Sequence, residues 1–466
     1  MKRLFLVPTL LVLTAGCAWG VCGEKYCSGP ICTAGNAGNI AVSAAIAEAR
    51  TCSGAITVNV PAGIQSWTTR VDVDASSMTA TSLHLKGAGG TNTEIIHNVG
   101  TGPKCHDREA LMAVTLAAGK TIIVSDFYFK GSNVCTDNND PLRIIYVRGG
   151  GHTGLRITGN QFTHTYKNYA VYSVDAYGVI DTNIFHNGKP YQDGPGPSAW
   201  AAPTNPSGAD FLFVEDNIFT RTIYGNSIDT NKGGRYVFRK NIVTYGYPES
   251  HAYRTTGWGT EYGTRAWQIY GNDFRTGPHS QQWLFYVLGG TGMAFDNTWT
   301  QTEGGSYTNP SKGMAIYLRA ACDAARRCPA YPCPGQIGRG ENQTLEPAYA
   351  WNNTLTGTLV HLTPYGCANS VAWQTENRDY YNHSTATGSP QTVGVRVGTK
   401  ANMPASCTAG VAYWVTDEGD WNRKNDTPTA TADGTLYKCT ALNTWMSYFT
   451  PYPYPHPIRG ATATRE

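Results

Sequence analysis

Val214-Glu215-Asp216-Asn217-Ile218-Phe219 and, 24 residues on, Phe238-Arg239-Lys240-Asn241-Ile242-Val243 decide the fold. Each runs a β-branched or aromatic strand into an Asn and then into a large apolar residue. Earlier copies are Ile157-Thr158-Gly159-Asn160-Gln161-Phe162 and Ile180-Asp181-Thr182-Asn183-Ile184-Phe185. Later ones are Ile269-Tyr270-Gly271-Asn272-Asp273-Phe274, Ala294-Phe295-Asp296-Asn297-Thr298-Trp299 and a weaker Ala350-Trp351-Asn352-Asn353-Thr354-Leu355. The Asn-to-Asn steps are 23, 34, 24, 31, 25 and 56 residues.

A short base period broken by longer steps marks stacked coils whose insertions leave as loops. Each copy alternates like a strand, and no helical periodicity fills the gaps, so the fold class is all-β and the coils are β-coils. Stacked coils place each Asn over the next at about 4.8 Å, which predicts a structural amide ladder through Asn160, Asn183, Asn217, Asn241, Asn272 and Asn297. Asn also tolerates left-handed backbone at the bend.

Register predicts more. Residues three before each Asn (Ile157, Ile180, Val214, Phe238, Ile269, Ala294) should fill the interior. Those two before (Thr158, Asp181, Glu215, Arg239, Tyr270) should point outward. Glu215 and Arg239 would then form a surface ion pair worth at most ~1 kcal/mol. Asp216 would pair with Lys240 in the next coil.

Met1-Lys2-Arg3, the apolar run Leu4 to Leu13 and the Ala18-Trp19-Gly20 exit describe a secretory signal peptide over residues 1–20. A rival reading makes Cys17 the lipidated first residue of a bacterial lipoprotein. Either way the expectation is a secreted, extracellular or cell-surface protein without a transmembrane segment. Of 13 Cys, losing or lipidating Cys17 leaves an even number, which reads as disulfides. The candidates are Cys22, Cys27 and Cys32, then Cys322, Cys328 and Cys333, with Cys407 and Cys439 as a late pair. Zinc competes, but the chain holds no CxxC pair.

The formal charge of +3 leaves no basic surplus for nucleic acid. Charged residues are 15%, against the usual ~25%, while Gly (52), Tyr (28) and Trp (12) are plentiful. That composition suits an extended β surface meeting weakly charged sugars, so the expected partner is a polysaccharide, and a monomer is expected. Nucleophile-elbow, P-loop and zinc-protease motifs are absent.

Ahead of the repeats, Ile40 to Arg50 reads as a short amphipathic helix capping the open first coil. It leads into Val60-Pro61-Ala62-Gly63 and Leu83-His84-Leu85-Lys86-Gly87-Ala88-Gly89. With the Asn-x-Phe coils, these segments resemble the pectate-lyase-like β-helix superfamily over roughly residues 36 to 360. Ser227-Ile228-Asp229-Thr230-Asn231-Lys232-Gly233-Gly234-Arg235-Tyr236-Val237-Phe238-Arg239-Lys240-Asn241 is similar to the Ile-Asp…Lys-Gly-Ser…Asn segment of pectate lyases. The resemblance implies a single-stranded right-handed parallel β-helix over residues 21–400. It implies no single activity, since the superfamily holds lyases, hydrolases, epimerases and adhesins. It also makes calcium a candidate cofactor at Asp229, although the Asp-Gly that normally precedes the segment is Gly225-Asn226 here, and calcium wants six to eight oxygens.

The step between Asn241 and Asn272 is richest in chemistry: Tyr245, Tyr247, Glu249, His251, Tyr253, Arg254, Trp258, Glu261, Tyr262 and Arg265. Eliminative cleavage of an acidic polysaccharide needs a cation for the uronate carboxylate and a base for the neighbouring proton. Arg235, Arg254 or Arg265 could supply the first and His251 the second. Tyr253 or Tyr262 could protonate the leaving oxygen, and Trp258 could stack on a sugar ring. The plain alternative packs these residues in a loop, with Arg265 paired to Glu261. Hydrolysis would instead use two carboxylates, Asp229 with Glu261 as the first pair and Asp175, Asp210 and Asp216 as others. A non-catalytic glycan-binding or structural β-helix is the remaining reading.

Gly188 to Gly208, rich in Pro and Gly, accounts for the 34-residue step, and residues 301 to 348 for most of the 56-residue one. After Cys407 the composition turns aromatic: Tyr413-Trp414, Trp421, Tyr437-Lys438-Cys439 and Trp445. Residues 401–450 are similar to small carbohydrate-binding modules of the chitin-binding type. Their alternative role is a cap with its Trp residues as core. Residues 451–466 form a Pro/Tyr-rich tail expected to run extended.

Overall fold

The computed structural model describes residues 25–100, 110–131, 143–164, 169–251, 263–302, 304–307, 314–322, 328, 330–424 and 432–460. Residues 1–24, which include the stretch read as a signal peptide, Cys17 and Cys22, lie outside them. Among the described residues, thirty strands join one sheet that winds from coil to coil with parallel pairing. The fold is an all-β parallel β-helix with three faces. The turn face carries the short Asn-x-Phe strands, such as Gln161–Thr163 and Ile184–His186. A second face carries Leu212–Glu215, Arg235–Arg239, Ala266–Tyr270, Thr291–Phe295 and Ala348–Trp351. The third carries Lys189–Asp193, the end of Ile218–Asn231, the end of Ile242–Ser250, and Phe285–Val287.

The amide ladder is present and reaches one rung further than its six expected members. Each Asn Nδ2 donates to the next Asn Oδ1, from Asn160 to Asn183 at 3.1 Å through to Asn297 and Asn353 at 2.8 Å. Left-handed backbone falls not on the Asn but on the residue before it: Thr182, Asp216, Lys240, Asp296 and Asn352 have φ between 52° and 56°. The strain of non-glycine residues there, about 1–2 kcal/mol each, is offset by the ladder, in which each amide from Asn160 to Asn297 donates to a main-chain carbonyl and to the next Asn. Ile157, Ile180, Val214, Phe238, Ile269 and Ala294 all lie in the buried core. Beside them Phe129, Phe162, Phe185 and Phe219 stack at 5.4, 5.1 and 4.7 Å between centroids.

The helix Asn39–Ala49 buries Val42, Ala45, Ile46 and Ala49, one helical stripe, against the first coil. All nine described cysteines are in disulfides, including Cys27–Cys32, Cys328–Cys333, Cys407–Cys439 and the long-range Cys322–Cys367. Among the described residues no helix is long and apolar enough to cross a membrane.

The C-terminal sheet begins earlier than residue 401, at Val395–Gly398, and continues through Ala412–Val415, Thr435–Ala441 and Thr444–Phe449. It lies against the flank of the β-helix. Trp414 sits 4.9 Å from Trp351 and 5.2 Å from Phe295, and Trp421 meets Tyr270 edge-on. These two Trp residues lie in a buried cluster shared with the β-helix flank. The tail then runs along the same flank and changes two expectations. Glu215 and Arg239 do pair, but beneath the tail and without solvent exposure, so they are not a surface pair. Asp216 takes Lys424, Tyr454 and Arg459 as partners instead of Lys240.

Candidate functional site

The third face collects the outward-pointing tyrosines. Tyr146, Tyr172, Tyr191 and Asp229 occupy the same register position on four successive coils. On the following coils Glu249 is in register with Tyr286. Tyr146, Tyr172 and Tyr286 are half-buried, with ring-to-ring distances of 5.6 Å for Tyr146–Tyr172 and 5.1 Å for Tyr172–Tyr191. Trp283 stacks on Tyr286 at 4.7 Å. The Arg143 guanidinium lies 4.4 Å over Tyr172, and that of Arg148 lies 5.1 Å over Tyr146.

At the centre of this column stand Asp229, Glu249, His251, Lys189 and Asn226. Strand alternation explains the set: Ile228 and Ser250 point inward, so Asp229, Glu249 and His251 point out. A register skip between the pairs Asn226–Tyr247 and Ile228–Pro248 leaves Ser227 as an extra residue. Such a bulge re-aims side chains, and here it turns Asn226 toward Asp229 as well. Asn226 Nδ2 donates to Asp229 Oδ2 at 3.2 Å and to Glu249 Oε2 at 2.6 Å. Lys189 Nζ donates to Asn226 Oδ1 at 2.7 Å and to Asp229 Oδ2 at 3.1 Å. His251 Nδ1 lies 2.7 Å from Asp229 Oδ1, an ion-pair contact rather than a well-aligned hydrogen bond.

Electrostatics separate the two carboxylates. Burial alone would raise Asp229, but His251 and Lys189 outweigh it and hold its carboxyl below the usual range. Burial pushes Glu249 up, and the neighbouring Asp229 charge adds to that. Burial works against the His251 cation, yet Asp229 and Glu249 overcome it and raise the imidazole to about 9. At neutral pH the site therefore holds an ionised Asp229 and a protonated His251, beside a Glu249 carboxyl held above its ordinary value. Two acids pushed apart in this way can divide acid and base work between them.

Of the residues singled out from sequence, Asp229, Glu249 and His251 meet here. Arg235 instead stacks on Tyr177 at 5.1 Å and donates to its hydroxyl at 2.8 Å. Arg265 is fully buried, bonded to Glu346 at 2.9 Å and lying over Trp200. Its acid is thus Glu346, and the expected Glu261 falls outside the described residues together with Tyr253, Arg254, Trp258 and Tyr262. Sequence reasoning gave no role to Lys189, Asn226 or the tyrosine column. The Glu249-x-His251 alternation was the available signal for a second carboxylate beside His251. Calcium does not suit this donor set, because an ammonium and an imidazolium already take the directions around Asp229 that a cation would need.

No family model matches the chain, and no curated protein does. Among solved structures it is similar to Escherichia coli YbhC, with a TM-score of 0.32 and 10% identity over 68% of this chain and 81% of that one. It is also similar to the catalytic domain of a GH87 alpha-1,3-glucanase in complex with tetrasaccharides, with a TM-score of 0.30 and 12% identity over 79% of this chain and 70% of that one.

Proposed function

We propose that the protein works outside the cytoplasm as a glycan-cleaving β-helix. In this reading it hydrolyses an acidic polysaccharide laid along the tyrosine column. The observation that carries it is the single Asn226 amide nitrogen that bonds both Asp229 and Glu249. Glu249 donates its proton to the glycosidic oxygen as the bond to the anomeric carbon breaks, Asp229 supplies negative charge to the oxocarbenium-like transition state, and water attacks that carbon and returns a proton to Glu249. Aromatic rings on both sides of the pair offer stacking surface for sugars. Acidic groups on the polymer are favoured by Arg143 and Arg148, for which no carboxylate partner exists among the described residues. The signal-peptide-like stretch at residues 1–20 and the disulfides support the location.

Hydrolysis is preferred to elimination on two grounds. His251 is held protonated and is a poor base. Arg235 and Arg265 are engaged elsewhere and do not approach Asp229. The test is incubation of the full-length protein with pectin, alginate and glycosaminoglycans, following reducing ends and the ultraviolet absorbance of unsaturated uronic acids. Reducing ends without the chromophore, lost in Glu249→Gln, are expected. Appearance of the chromophore would replace hydrolysis by elimination. Retention on a glycan without any product would reduce the role to binding.

A further inference from the structure

We propose that Lys189, acting through the Asn226 amide, is the positioning residue that assigns different roles to Asp229 and Glu249. The kinetic arm of this inference rests on the hydrolytic reading, and its structural arm does not.

Lys189 begins the strand Lys189–Asp193, which belongs to the Pro/Gly-rich excursion in the 34-residue step. Its ammonium sits 5.2 Å over the Tyr169 ring and 6.0 Å over Tyr191, and its side chain is only 8% exposed. A buried ammonium must find acceptors, and it has nothing but protons to offer. It therefore obliges Asn226 to present Oδ1, at 2.7 Å, and so turns the NH₂ group toward the carboxylates. An amide in the opposite orientation would set its own oxygen against two acids and its NH₂ against a cation.

The result is an unequal sharing of charge. Asp229 receives the ammonium directly at 3.1 Å, whereas Glu249 receives only a neutral amide proton at 2.6 Å. A cation in direct contact favours the ionised form far more than a neutral donor does. Glu249 is also faced by Asp229, His251, Tyr286, Tyr247 and Tyr224. Tyr169 and Tyr236 face both carboxylates, and Tyr191 faces Asp229. Of the cations, His251 contacts Asp229, and Lys189 alone reaches both Asp229 and the amide.

The experiment is a carboxyl ¹³C NMR titration of the full chain without substrate, with the two signals assigned from Asp229→Asn and Glu249→Gln. In Lys189→Gln the gap between the two midpoints should shrink by about one pH unit or more, chiefly through a rise at Asp229. Lys189→Arg should restore part of the gap. In turnover, Lys189→Gln should move the acid limb of the pH profile upward and lower kcat about tenfold with KM little changed. An unchanged gap in a folded Lys189→Gln protein would overturn the proposal. Should that variant fail to fold, Lys189→Met removes the same ammonium, and an unchanged gap there overturns it equally. If no glycan is cleaved at all, the hydrolytic reading fails while the titration still decides the role of Lys189.

Discussion

Arg239 and Glu215 face each other from adjacent coils at 2.6 Å, both sealed from solvent by residues more than 200 positions downstream. Tyr452 and Pro453 carbonyls accept from the Arg239 guanidinium at 2.6 and 2.8 Å, and Arg459 reaches Glu215 at 2.7 Å. The tail is thus clamped to the β-helix by groups whose desolvation is met by nearly complete hydrogen bonding. Removing one partner strands a buried charge, which typically costs about 3–5 kcal/mol. Glu215→Gln and Arg239→Met should each lower stability by that order in urea unfolding. The double variant Glu215→Gln with Arg239→Met should lose less than the two single losses combined. Additive losses would mean that the pair is not coupled.

The ladder makes a separate prediction. Asn217 donates to Ile180 O, Glu215 O and Asn241 Oδ1, and its own Oδ1 accepts from both nitrogens of Asn183. Asn217→Ala leaves several buried groups unpaired at about 1–3 kcal/mol for each. A loss of about 3 kcal/mol or more is expected by chemical denaturation, with Asn353→Ala, at the end of the ladder, losing less. Equal small losses at both positions would show that water replaces the amides.

The contrast between ladder and clamp shows what the sequence could carry. Ladder and interior were legible because every coil repeats the same demand: an Asn at one bend and an apolar residue three places earlier. The adjacency of Glu215 and Arg239 followed from the same spacing. Their burial did not, because it depends on a tail with no periodic relation to the coils. The site divides in the same way. Asp229 and His251 stood out by residue type, but the bulge at Ser227 and the strand within the Gly188 to Gly208 excursion bring Asn226 and Lys189 to them. Neither leaves a periodic trace. Arg235 and Arg265 drew attention for their charge, and charge does not say toward which face a side chain leaves the strand.

His251 should make stability depend on pH on the alkaline side. Its folded-state value of about 9 lies above the ordinary 6.5. The contact with Asp229 therefore stabilises fully below about pH 6.5, and its contribution drains away as pH rises through about 9. The whole effect is on the order of 3 kcal/mol. Urea unfolding of the wild type and His251→Gln should differ most at about pH 5 to 6.5 and converge at about pH 10. A difference that stays constant across that range would remove the ion pair as its cause.

The outer rings of the column should govern binding without touching the chemistry. Tyr146 lies three coils from Asp229 in one register column, a separation of about 14 Å at the usual strand spacing. On the other side Tyr317 stands 5.7 Å from Tyr286 and is likewise half-buried. Contacts this remote hold ground state and transition state alike, so their loss should raise KM and leave kcat unchanged. Tyr146→Ala and Tyr317→Ala should each raise KM for a long polymer about tenfold, which is roughly 1.4 kcal/mol. Short oligosaccharides that span only Asp229 and Glu249 should show no change, because they never reach these rings. A fall in kcat with KM intact, or an equal penalty on short and long substrates, would mean that the polymer does not follow this face.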